Sequence, residues 1–141
     1  MNKIRILEVG NELGLGGTEY VIQLFSQFLD KEYFQVTVLG LKEGGVRAQI
    51  IEEMGTRVII LNGEYEKLAE HLRNTDVLHW HGDGSLDPKL FSIVQANRPK
   101  LVIQTNVFGL HTRSSLYDCI DYDLYVSKMI LIRRMLLDQD L

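Results

Sequence analysis

The segment of this chain best equipped for chemistry is Gly10-Asn11-Glu12-Leu13-Gly14-Leu15-Gly16-Gly17-Thr18-Glu19. It follows an apolar run, Ile4–Val9. It precedes a stretch in which Val21, Leu24, Phe25, Phe28 and Leu29 recur at helical spacing. A glycine-rich turn between a strand and a helix exposes backbone N–H groups at the positive end of the helix dipole, which suits an anion such as a phosphate. Gly14, Gly16, Gly17, Thr18 and Glu19 are therefore candidate binding residues. Gly14-x-Gly16 begins a dinucleotide fingerprint, but Glu19 stands where the third glycine belongs, and the acidic residue after the second strand, Glu43, is poorly placed. The structural alternative is a tight turn that lets the helix pack on the sheet.

His79-Trp80-His81-Gly82 is the second chemically loaded segment. Strand alternation turns His79 and His81 to one face and Trp80 to the other. A histidine pair at this spacing can bind a metal, with Asp83 as the nearby third ligand. The preferred reading has no metal: one histidine is buried and hydrogen-bonded, and His81 sits at the strand tip, where its imidazole can hydrogen-bond a substrate. Asn106 offers a donor and acceptors at the end of another strand and joins His81 as a candidate catalytic residue. His111, Arg113 and Ser127 are candidates for binding an acceptor. Ser127 could equally cap the helix that follows it. Lys128, Arg133 and Arg134 offer a small basic cluster for anionic lipid, or a solvated face. Cys119 lies beside Asp118 and Asp121, a setting that disfavours a thiolate, so it reads as structural. No spacing supports a Ser-His-Asp or Cys-His nucleophile.

These residues need a frame. Strands are expected over Ile4–Val9, Phe34–Leu41, Arg57–Leu61, Asp76–His81, Leu101–Thr105 and Asp123–Val126. Helices are expected over Thr18–Leu29, Val46–Met54, Glu64–Arg73, Asp87–Asn97 and from Lys128 onward, with a short helix around Cys119. Near-continuous apolar strands alternating with amphipathic helices predict a single α/β domain over 1–141, a Rossmann-like, doubly wound, mainly parallel sheet. Ligands of such sheets bind at the carboxyl ends of the strands, where every candidate above lies.

The totals narrow the function. The 141 residues suffice for one domain with a core, and 45% hydrophobic with 24% charged residues is ordinary for a globular fold. A net charge of -4 argues against nonspecific nucleic-acid binding. One cysteine excludes an internal disulfide framework and fits a reducing cytoplasm. No apolar run approaches the ~20 residues of a membrane span. A cytoplasmic location is expected, with peripheral contact at the inner membrane face left open.

Taken in order, VGNELGLGGTE, VTVLGL, DVLHWHG, LVIQTNVFG and DLYVSKM resemble the N-terminal half of family-4 retaining glycosyltransferases of GT-B architecture, from about Ile4 to about Met135. The Gly-Gly-Thr-Glu turn is the most specific element of the likeness. The resemblance implies transfer of a hexosyl group from a nucleoside-diphosphate sugar to a saccharide or glycolipid acceptor, with no cofactor or metal required. It implies that this half holds the acceptor, that the glycine turn reaches toward the donor phosphates, and that the departing phosphate takes the acceptor's proton. Many relatives carry a histidine where Asn106 stands, which leaves Asn106 a hydrogen bond to a sugar hydroxyl but no proton transfer. It also implies a C-terminal donor-binding half that 141 residues cannot accommodate. The isolated chain is then expected to be inactive and to self-associate through its exposed cleft wall. An NAD(P)- or nucleotide-binding Rossmann domain and a noncatalytic sugar- or partner-binding module are the alternatives.

Overall fold

Apolar runs rich in Val, Ile and Leu form the strands of this domain, and helices fill the intervals. A computed structural model describes residues 2–111 and 114–139. The strands are β1 (Ile4–Gly10), β2 (Phe34–Gly40), β3 (Arg57–Ile60), β4 (Val77–Gly82), β5 (Leu101–Asn106) and β6 (Tyr122–Tyr125). The helices are α1 (Gly17–Phe28), α2 (Val46–Glu53), α3 (Leu68–Arg73), α4 (Pro88–Ala96) and α5 (Lys128–Gln139). Most boundaries lie within one or two residues of those expected. The helix expected over Glu64–Arg73 is divided. Asn62 and Gly63 turn the chain with positive φ, Tyr65–Lys67 is a 3₁₀ turn, and α3 follows it. The short helix around Cys119 is also 3₁₀, over Ser115–Cys119.

All six strands are parallel, in the order β3-β2-β1-β4-β5-β6. The chain is an α/β, Rossmann-like, doubly wound domain. From β1 it winds outward through β2 to β3, then crosses back to β4 on the other side of β1. The connections leave β1 and β4 in opposite directions, and a crevice opens between their carboxyl ends.

The two faces of the sheet differ. On one, Leu7, Val9, Leu39, Leu78, Trp80 and Val102 pack against Leu68 and Leu72 of α3 and Leu90, Phe91 and Val94 of α4. On the other, Val38 packs with Leu13, with Ile22 of α1 and with Ile51 of α2. Pro88 opens α4, and the Asp87 side chain caps it by accepting from the Leu90 N–H at 3.0 Å. α5 leans on β6 and leaves Met129, Ile132, Met135 and Leu136 more than half exposed. Among the described residues no helix is long and apolar enough to cross a membrane.

Candidate functional site

A cleft of about 530 Å³ occupies the crevice. Gly10, Trp80 and Gly82, from the ends of β1 and β4, form its floor. Asn11, Glu12, Thr18 and Glu19 line one wall, and Asp83, Asp87 and Phe108 line another. Of the candidates in the glycine turn, Thr18 and Glu19, in the first turn of α1, border the cleft, whereas Gly14, Gly16 and Gly17 are not among its lining residues. No side chain caps that helix end, so its first N–H groups are held by no capping side chain.

The turn is anchored from beneath. The Leu13 side chain is fully buried, and the Leu13 carbonyl accepts from the Arg47 amide at 2.9 Å. The Arg47 guanidinium donates to the Gly14 carbonyl at 2.9 Å and to Gln23 Oε1 at 2.5 Å. Gly45 meets the turn at φ 74, and a side chain there would drive into the Leu13 carbonyl. The two glycines ahead of Thr18 are not equivalent. The Glu19 carboxylate occupies the space above Gly16, whereas the space above Gly17 is open.

Across the cleft, the Asp83 carboxylate accepts from the Ser85 amide at 2.8 Å and from the Ser85 hydroxyl at 2.5 Å. It shapes its own loop and takes no part with the histidines. Asn106 is fully buried, and its side chain spans the loop that follows it. Its Nδ2 donates to the Leu110 carbonyl at 3.0 Å, and its Oδ1 accepts from the Gly109 amide at 2.7 Å. Both ends of the amide are therefore engaged within the protein. Gly84 allows this packing. It has φ 99, and a Cβ there would collide with the Leu110 carbonyl and lie 2.5 Å from Asn106 Nδ2.

His79 and His81 share a face, as alternation requires, but both are buried beneath α1. Phe25 of α1 meets His79 edge-on at 4.8 Å. Their third partner is Glu8, which lies opposite His79 in the register of β1 and β4. His81 Nε2 lies 2.6 Å from Glu8 Oε2, and His79 Nδ1 lies 3.0 Å from the same oxygen. His79 Nε2 lies 2.7 Å from Thr105 Oγ1 on β5. Burial pushes the Glu8 carboxyl upward, but hydrogen bonds from the two histidines outweigh it and hold the group below its ordinary value. Burial pulls His81 down, against an opposing pull from Glu8. His81 lines the cleft at the strand tip, as expected, but its ring is buried rather than open to a substrate. The ring turns inward because a buried carboxylate holds it there.

Glu8, His79 and His81 are the one trio among the described residues with the ligand types and spacing for a metal ion. His81 Nδ1 is buried without a partner. A cation on Nε2 would move the ring proton to Nδ1 and bury an unpaired donor. Placing the proton on Nε2, donated to Glu8, leaves a bare acceptor instead. In either arrangement His81 Nδ1 stays unsatisfied within the cluster.

The remaining candidates lie away from the cleft. His111 contacts Arg134 of α5 at 2.8 Å and stacks near Tyr117. The Ser127 hydroxyl accepts from the Ile130 amide at 3.3 Å at the start of α5, the capping arrangement. Arg113 lies outside the described residues. Sequence reasoning missed Glu8, Lys42, Asp87 and Phe108. The signal for Glu8 was present: an acid inside an apolar strand, on the parity opposite Leu7 and Val9.

No family profile matches this chain, and no curated protein matches it.

Proposed function

We propose that this chain is the acceptor-side domain of a nucleotide-sugar-dependent glycosyltransferase. The observation that carries the reading is the cleft at the β1/β4 crossover, with an uncapped helix end on one wall and carboxylates beside an aromatic side chain on the other. Carboxylates accept hydrogen bonds from sugar hydroxyls, and an exposed ring such as Phe108 offers a face to a pyranose. In the reaction, an acceptor hydroxyl oxygen bonds to the anomeric carbon while the bond to the diphosphate breaks. The departing phosphate takes the hydroxyl proton. The N–H groups at the start of α1 face the charge that develops on that phosphate. A dinucleotide reading is weaker, because Glu19 stands where the fingerprint's third glycine belongs.

Gly17 supplies the test. A side chain there meets nothing within 4 Å, so Gly17→Leu is expected to fold normally and to fill the space above the turn. Transfer of labelled sugar from nucleoside-diphosphate donors is measured in a protein that joins this chain to a donor-binding half. Turnover is expected to fall by about 100-fold or more, with the melting temperature unchanged. Retained turnover in a folded Gly17→Leu protein would rule the assignment out.

A further inference from the structure

The sign of charge in the cleft is lopsided. Glu12 and Glu19 stand on the glycine-turn side and Asp83 and Asp87 on the opposite side, with Lys42 the only lysine or arginine among the described lining residues and the His81 imidazole buried against Glu8. Four carboxylates face one ammonium. Asp83 and Asp87 are held by their own loops, through Ser85 and the start of α4. Glu12 and Glu19 form no salt bridge with any described residue. The neighbouring Glu43 carboxyl, some desolvation and the charge of Glu19 raise the pKa of Glu12, against an opposing pull from Lys42. Carboxylates crowd here with Lys42 as the one ammonium set against them.

A second observation points to a ligand. Trp80 is 6% exposed and lines the cleft floor, and its indole N–H is buried with no acceptor. That nitrogen lies against Gly82, 2.5 Å from where a Cβ would stand, so the donor edge reaches the cleft end of β4. A buried N–H without an acceptor is uncommon. A ligand that brings both acceptor oxygens for Trp80 and hydroxyl donors for Glu12 and Glu19 would satisfy both walls at once. A saccharide has that chemistry. One bearing a carboxylate would set like charge directly against Glu12 and Glu19.

We infer that the acceptor held in this cleft is a saccharide without anionic groups, and that Glu12 and Glu19 set this selection. The inference rests on the glycosyltransferase reading and refines it.

The test uses the whole chain, isotopically labelled, with cleft amides such as those of Gly10, Thr18 and Gly82 followed by NMR. The probes are β-1,4-linked disaccharides of glucosamine, of N-acetylglucosamine and of glucuronic acid. The amine and neutral disaccharides are expected to bind at least about tenfold more tightly than the uronate. In the double variant Glu12→Gln, Glu19→Gln, both at accessible positions, that gap is expected to close to within about threefold. Binding of all three disaccharides with equal strength would overturn the charge selection while leaving the acceptor reading intact. So would a gap that survives in the double variant. Failure of every disaccharide to move these amides, with a nucleotide moving them, would overturn the acceptor reading itself.

Discussion

Replacing Glu8 by alanine tests the polar cluster at the centre of the sheet. In the wild type, one carboxylate, 1% exposed, takes hydrogen bonds from two buried imidazoles at 2.6 and 3.0 Å. Its removal leaves two buried N–H donors without acceptors, each costing about 1–3 kcal/mol. The sum agrees with the about 3–5 kcal/mol typical of a broken buried pair. Glu8→Gln keeps the shape and one acceptor oxygen, so about half that loss is expected. In urea, with a slope of about 1–3 kcal/mol per molar, the midpoint for Glu8→Ala should fall by about 2 M at unchanged slope. The pH dependence supplies a second readout. His81 has a folded pKa below its unfolded one, so the unfolded chain binds more protons and stability falls as pH drops below about 6.5. The Glu8 carboxyl, also depressed on folding, adds stability that is present above its unfolded pKa and lost as pH falls through its folded value. Glu8→Ala should lack that second, more acidic loss. A midpoint shift below about 0.5 M would refute the reasoning, because the histidines would then be resting on something other than this carboxylate.

Gly84→Ala should lower stability by about 2 kcal/mol or more, since φ 99 is strained for any side chain and its Cβ would collide with the Leu110 carbonyl. A thermal scan in which the variant melts within about 2 °C of wild type would count against that packing. Arg47→Met removes the donors to Gly14 and Gln23, so amide exchange of the glycine turn should quicken by about tenfold, while global stability falls by only about 1–2 kcal/mol. Unchanged exchange across residues 13–17 would show that the turn is held by Leu13 alone.

Much of this frame was legible from local pattern. Apolar strands such as Leu101–Asn106 and amphipathic helices such as α1 announce themselves through periodicity, and doubly wound topology follows from their alternation. The alternation of His79, Trp80 and His81 was equally readable, because a strand gives side chains no other choice. The partner of the histidines was not. Asp83 stands two residues from His81, but it spends its oxygens on Ser85. Glu8 is 71 residues from His79 in sequence and meets it only because β1 pairs with β4. Asn106 shows the same limit. Its chemistry advertised a ligand contact, yet both ends of its amide go to Leu110 and Gly109, a commitment set by a loop whose path depends on Gly84. Residue type and strand position indicate where chemistry can occur. Which polar groups stay uncommitted depends on tertiary pairing.

The adjacency of β1 and β4 also bears on biosynthesis. As the nascent chain leaves the ribosome, β1, β2 and β3 can assemble with α1 and α2 before β4 exists. At that stage the carboxylate on β1 faces an apolar helix with no imidazole to meet it, a cost that discourages early closure of that layer. Arrival of residues 77–82 supplies the missing donors and completes the sheet from its middle. Long-range strand pairing of this kind folds slowly, and the buried carboxylate on β1 finds its hydrogen-bond donors only once that pairing is made.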